Sequence, residues 1–162
     1  MPVPVYTRHS MFFIYLIVWT AWGIGARWAL GPTYVPWLLR MVRTPGRALL
    51  VYGAVFVCAV IVAVVLVQMT DRGAGPSALL IVLGIGTMPL APLVMDAIPG
   101  KGGGRAELHR HFEMYRRQGR LREVGAEDLS VGGQRAVGLI AAILSLVTLG
   151  PLMGGMFVVM DP

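Results

Sequence analysis

The chain has 162 residues, of which 56% are apolar and only 14% are charged, and its formal net charge is +6. Soluble domains are about 45–50% apolar and about 25% charged, and a domain this small could not bury so much apolar surface. The composition therefore excludes an ordinary soluble fold and indicates a protein that lipid surrounds.

Four apolar segments divide the chain, and each has about the 20 residues that a helix needs to cross a hydrocarbon core. Spanning segments must satisfy their own backbone hydrogen bonds, and no alternation of period two suggests a barrel, so we predict helices. The predicted spans are 10–30, 48–68, 77–98 and 136–160. The sequence thus predicts an all-α fold in which residues 1–162 form one membrane domain, a bundle of four transmembrane helices.

The first span is followed by residues 32–46, a segment too short and too rich in proline to cross the membrane. Its Tyr34 and Trp37 are amphipathic aromatic residues, which favour the headgroup region, and Arg40 and Arg43 follow them. We expect this segment to lie on the inner surface of the membrane.

The second and third spans each hold one feature of interest. Cys58, the only cysteine, cannot form an internal disulfide, and we interpret it as a small buried apolar residue in the second span. Pro89 and Pro92 predict a kink in the third span. Such a kink either shapes the packing of the bundle or marks a moving part.

The only long polar stretch, residues 99–135, connects the third and fourth spans. Within it, apolar residues recur at i, i+4 and i+7, which predicts an amphipathic helix with arginines largely on its other faces. A basic helix of this kind favours contact with membrane lipids or with a partner protein. The residues expected to make these contacts are Leu108, Phe112, Tyr115, Arg116, Arg117 and Arg120.

The distribution of basic residues predicts the orientation of the bundle. Residues 27–47 and 99–135 hold twelve of the fourteen, and cytoplasmic loops carry the excess of lysine and arginine. We therefore place both loops in the cytoplasm and both termini outside, and the high arginine and glycine content suggests a bacterial inner membrane. Because the positive charge is explained by anionic headgroups, the sequence does not predict nucleic-acid binding.

Asp96 is the only ionisable residue well inside the third span. A carboxylate at the bilayer centre costs about 2.5–3.5 kcal/mol on insertion scales, and less near the interface. Arg27 lies near the same end of the first span, so we predict an ion pair between the two side chains. A hydrated carboxylate, a proton or cation site, and a contact to a partner subunit are the alternatives.

Small residues recur at four-residue spacing in the first and last spans. Such stripes let helix backbones approach closely, and this packing drives helix association in lipid. The stripes fit either a compact bundle or docking onto another membrane subunit. The residues predicted to serve in helix packing are Ala21, Gly25, Ala29, Gly150 and Gly154.

No motif in the chain carries recognisable chemistry, so we predict no catalytic, cofactor-binding or metal-binding residues. The spans contain no histidine that could hold a haem, and His109 and His111 have no further ligand beside them. We expect a small non-catalytic accessory or structural subunit of a larger membrane complex. One alternative is a small oligomeric transporter or channel that uses Asp96, Gln68 or the kinked third helix. Another is a membrane enzyme that acts on lipid at the inner interface, for which His109, His111 and Glu113 are candidates.

Overall fold

The computed structural model describes residues 5–97 and 107–160, and every regular element in these ranges is helical. Four segments are long and apolar enough to cross a membrane, which confirms the prediction of an all-α, multi-pass membrane protein. They are Phe13–Met41, Pro45–Asp71, Ser77–Ala97 and Val131–Phe157. The helices are α1 (Val5–Met41), α2 (Pro45–Asp71), α3 (Pro76–Thr87), α4 (Ala91–Ala97), α5 (Glu107–Arg117) and α6 (Val131–Met160), with 3₁₀ turns at Met88–Leu90 and Leu121–Val124.

Helix α1 continues to Met41, although the sequence predicted a separate interfacial segment over 32–46. Pro32 and Pro36 both lie inside this helix, where each removes a backbone hydrogen-bond donor. The helix continues past them because Leu38 and Leu39 in its last turns are completely buried, and tertiary packing outweighs local propensity. Residues 32–41 therefore continue the helix of the first span instead of forming a separate segment.

Two helices begin earlier than the apolar pattern predicted, because each opens with a polar capping turn. Thr44 caps α2 with its side chain, which accepts a hydrogen bond from the backbone N–H of Arg47 at 3.3 Å. Ser130 accepts in the same way from Gly133 N–H at 3.0 Å, so α6 begins at Val131 rather than at 136. Residues 98–106, the first part of the predicted loop, lie outside the described residues.

The third span is interrupted where the sequence predicted a kink, and α1 supplies the missing hydrogen bonds. The 3₁₀ turn directs the N–H of Ala91 to the carbonyl of Met88, which leaves the carbonyl of Thr87 without its helical donor. The indole of Trp19 donates to that carbonyl at 3.2 Å, and the indole of Trp22 donates to Met88 at 3.0 Å. Interrupted backbone is tolerated in a membrane only where such partners satisfy it.

Close approach of backbones holds α2, α3 and α6 together. A Cβ at Gly86 on α3 would lie 2.5 Å from a methyl carbon of Val62 on α2, so a larger residue there would force the Val62 side chain to move. A Cβ at Gly155 on α6 would lie 3.3 Å from the Cα of Ala63. Helix α6 therefore packs along α2 through small residues, as membrane helices commonly do.

A cluster of buried apolar side chains lies at the end of the bundle where α5 docks. The apolar face of α5 is buried: Leu108 and Phe112 are completely covered and Tyr115 nearly so. These residues pack with the last turns of α1, the first turns of α2 and α6, and the 3₁₀ turn Leu121–Val124. We call this region, residues 38–48 and 107–137, the cap. We expected the apolar face of α5 to contact lipid or a partner. In the structure the chain's own helices cover that face instead.

Candidate functional site

Charged side chains meet where the cap joins the spans. Asp96, on α4, is completely buried, and its Oδ1 lies 2.8 Å from Nε of Arg27 on α1. The structure thus brings together the two residues that the sequence predicted to pair. The contact joins the first span to the end of the third, close to the level at which the cap begins.

Helix α5 adds two residues to this pair. Nε2 of His111 lies 3.8 Å from Oδ1 of Asp96, and a carboxylate oxygen of Glu107 lies 4.0 Å from Nη2 of Arg27. We call these four residues the polar cluster. From the sequence, Glu107 was not a candidate, and His111 was considered only as a metal ligand and as a candidate residue of a lipid-active enzyme. Their spacing of four residues, which places both on one face of α5, is the feature that could have identified them.

The carboxylate of Asp96 is held by charge more than by directed hydrogen bonds. Among the described residues, neither of its oxygens has a hydrogen bond of good geometry, and the same holds for Nε2 of His111. A buried carboxylate ordinarily has such partners, since an unpaired buried polar group costs free energy. The hydroxyl of Tyr34 also lies beside this carboxylate, so Arg27, His111 and Tyr34 together surround Asp96.

A cleft of about 750 Å³ lies beside the polar cluster, between α1 and α5. Arg27, Glu107 and His111 line it together with apolar residues of α1. The cleft is open on one side, and Trp28 at its edge is 87% exposed. The cluster is thus connected to the surface by a passage that is apolar on α1 and charged on α5.

The other histidine of α5 belongs to a different face. His109 is buried, and its Nε2 lies 3.3 Å from a carboxylate oxygen of Glu113 one turn later. His111 instead faces Asp96, so the structure does not gather His109, His111 and Glu113 into one site. No group of three or more His, Cys, Asp or Glu side chains within residues 5–97 and 107–160 could hold a metal ion.

The arginines predicted to contact lipid or a partner differ in their surroundings. Arg116 donates to the carbonyl of Leu129 at 3.3 Å, which ties α5 to the segment before α6. Arg117 is exposed. Arg120 donates two hydrogen bonds to Glu123, both 2.8 Å long, and its guanidinium lies 5.4 Å from the ring centre of Tyr115. The hydrogen bond from Arg120 lowers the pKa of Glu123, and that bond raises the pKa of Arg120 in turn.

All five residues predicted to serve in helix packing face outward. Each is exposed, and a Cβ at any of the three glycines would meet no atom within 4 Å. They therefore make no close contact inside this chain. Cys58, interpreted as buried, is also exposed, because its position on α2 faces away from the bundle. The five residues are Ala21, Gly25, Ala29, Gly150 and Gly154.

Within the described residues, the polar cluster and the cleft beside it are where a buried ion pair and an open cavity coincide. Comparison of the chain with models of protein families, with curated proteins and with solved structures gave no match.

Proposed function

We propose that this protein is a small non-catalytic subunit of a larger membrane assembly, which it joins through the outward small-residue faces of α1 and α6. The observation that carries the proposal is that these faces are left unused by the chain's own packing. Gly86 and Gly155 make the close internal contacts, whereas Gly25, Gly150 and Gly154 have open space before them. In lipid no hydrophobic effect drives helices together, so their association depends on van der Waals packing. Faces of small residues favour this packing because they let two helix backbones approach closely.

The cap supports an accessory role of this kind. Arg40 donates to the carbonyl of Glu123 at 3.1 Å, and the apolar face of α5 is fully covered, so the cap is a folded unit attached to the spans. Its arginines remain on the surface, where anionic headgroups or an acidic partner surface would attract them. We place the cap in the cytoplasm and both termini outside, since cytoplasmic loops carry the excess of arginine. A bacterial inner membrane fits this arrangement.

The proposal is tested by extraction of the tagged protein from its native membrane in a mild detergent, followed by native mass spectrometry. We expect a stoichiometric complex that contains a larger membrane protein. Gly154→Leu is expected to release the partner, because the larger side chain blocks close approach of the helices. Gly53→Leu on α2 is the matched control, since a Cβ there also meets nothing within 4 Å and Gly53 lies outside the two proposed faces. A single chain or a homo-oligomer with no other protein would contradict the proposal.

A second candidate function, a small transporter or channel, is favoured by the buried carboxylate of Asp96. Asp96 is completely buried at the end of the third span, and ionisable groups at membrane depth often bind protons or ions. The expected result is a proton or cation flux into liposomes containing the purified protein that Asp96→Asn abolishes. Equal flux through the wild type and the variant would exclude a role of Asp96 in transport.

A further inference from the structure

We propose that the cleft between α1 and α5 binds one anionic phospholipid of the surrounding bilayer, with the phosphate against α5 and one acyl chain along α1. This lipid site is inferred without use of the partner faces proposed above. Its volume of about 750 Å³ lies within the range of pockets that hold small molecules, roughly 300–1,000 Å³.

The lining of the cleft is apolar at one end and charged at the other. On α1, Ile24 and Trp28 are 49% and 87% exposed, on a segment apolar enough to span the membrane. Helix α5 contributes Arg110 and His111 on the opposite wall. An acyl chain fits the first surface and a headgroup the second. A tryptophan at the junction is typical of the level at which hydrocarbon meets headgroups.

The charge of the lining favours a phosphate. Arg27, Arg110 and Arg120 line the cleft, and Glu107 is the single carboxylate among the lining residues that the structure describes. Each arginine also contacts a carboxylate of the protein, but a guanidinium has five N–H donors in a planar fork that suits phosphate oxygens. With three arginines and one carboxylate, the lining carries an excess of positive charge.

Part of the wall that α1 contributes to the cleft consists of residues with small or compact side chains. Gly31, Pro32 and Pro36 line it, and a Cβ at Gly31 would meet no atom within 4 Å. A larger side chain at Gly31 would point into open space rather than into a neighbouring helix. This position therefore offers a way to fill the cleft without removing any charge.

The charged wall distinguishes a lipid from a partner helix as the occupant. A transmembrane helix placed in the cleft would bury Arg110 and His111 against apolar side chains, at a cost that a phosphate avoids. A phospholipid suits both parts of the cleft. Its acyl chain fits the apolar surface of α1, and its headgroup fits the charged surface of α5. The negative headgroup distinguishes the proposed ligand from a zwitterionic lipid.

The test uses the full chain in detergent micelles that contain equal amounts of phosphatidylglycerol and phosphatidylcholine, with native mass spectrometry of the retained lipid. We expect one retained phosphatidylglycerol and about tenfold weaker retention in Arg110→Gln, the size of effect for one hydrogen bond to a charged group. Gly31→Phe is expected to abolish retention of both lipids. Arg117→Gln, outside the cleft, and Gly53→Phe, on α2, serve as matched controls for charge and bulk and are expected to retain the lipid.

Two results would overturn the proposal. Equal retention of the two lipids would show that the headgroup charge is not recognised. Unchanged retention in Gly31→Phe would show that any bound lipid lies elsewhere on the protein. Size-exclusion chromatography of each variant confirms that it is folded, and the two independent variants keep the test decisive if one of them fails to fold.

Discussion

Arg27 and Asp96 join the first span to the end of the third, and the free energy of this contact depends on both partners being present. Removal of one partner leaves the other charge buried and uncompensated, which costs about 3–5 kcal/mol in a fully buried pair. Arg27 retains 27% exposure of its side chain, so we expect Asp96→Asn and Arg27→Gln each to lower the free energy of unfolding by about 2–3 kcal/mol.

The effects of these two substitutions are expected to be non-additive, because the double variant leaves no unpaired charge. Reversible unfolding in mixed micelles measures the cycle. Arg117→Gln, at an exposed position outside the polar cluster, is the control and should leave stability unchanged. Strict additivity in the double variant would show that the two side chains do not interact.

The sequence could predict this pair, and the spacing of Glu107 and His111 places them on one face of α5, but nothing in the sequence says that this face meets Asp96. Asp96 is unusual within an apolar span, and Arg27 lies near the matching end of the first span, so position alone suggests the contact. Glu107 and His111 join them only because α5 docks with one particular face toward α4. The rotation of α5 about its own axis depends on the apolar side chains packed beneath it. The periodicity of one sequence does not show which side chains those are.

At the level of the elements, the interrupted third span depends on donors from α1. Trp19 is almost completely buried, and its indole is the donor to the carbonyl of Thr87 that the 3₁₀ turn leaves unpaired. We expect Trp19→Phe to lower the free energy of unfolding by about 1–2 kcal/mol, since the ring is retained and one hydrogen bond is lost. Trp22→Phe should cost less, because the carbonyl of Met88 also accepts from Ala91.

Thermal unfolding in detergent measures this ranking. Trp37→Phe, at an exposed position on the same helix, is the control for removal of an indole. An equal loss of stability in all three variants would mean that each tryptophan contributes through its buried apolar area and not through the hydrogen bond of its indole. A loss confined to Trp19→Phe and Trp22→Phe would attribute the effect to the two hydrogen bonds at the turn.

Helix α5 illustrates what an amphipathic pattern can and cannot predict. The spacing of Leu108, Phe112 and Tyr115 identifies a helical face, and the structure has a helix there. The pattern does not say what covers that face. Here α1 supplies the cover, because it continues beyond its prolines and places Leu38 and Leu39 beneath α5. The sequence assigned this face to lipid or a partner because basic residues surround it, and that pattern does not show that α1 reaches the same level.

For the whole molecule, composition and apolar length predicted the four spans. The thickness of the hydrocarbon core sets how long an apolar segment must be to cross it. The ends of α2 and α6 were predicted less well, since their first turns are polar and capped by Thr44 and Ser130. The small-residue stripes fitted either internal packing or docking onto another subunit, and the sequence did not decide between the two. Spacing alone does not distinguish the face toward α2, which holds Gly155, from the outer face, which holds Gly150 and Gly154.

The proposed orientation of the molecule rests on where its arginines lie, and it can be measured with introduced cysteines. Helix α2 runs from the cap at Pro45 to Asp71, so Asp71 and the cap lie at opposite ends of the bundle. In a Cys58→Ser background, we expect Asp71→Cys to react with a membrane-impermeant maleimide on intact cells. Gln118→Cys, at an exposed position of the cap, should react only after permeabilisation. The reverse pattern would place the cap outside and would contradict the orientation that the excess of arginine favours.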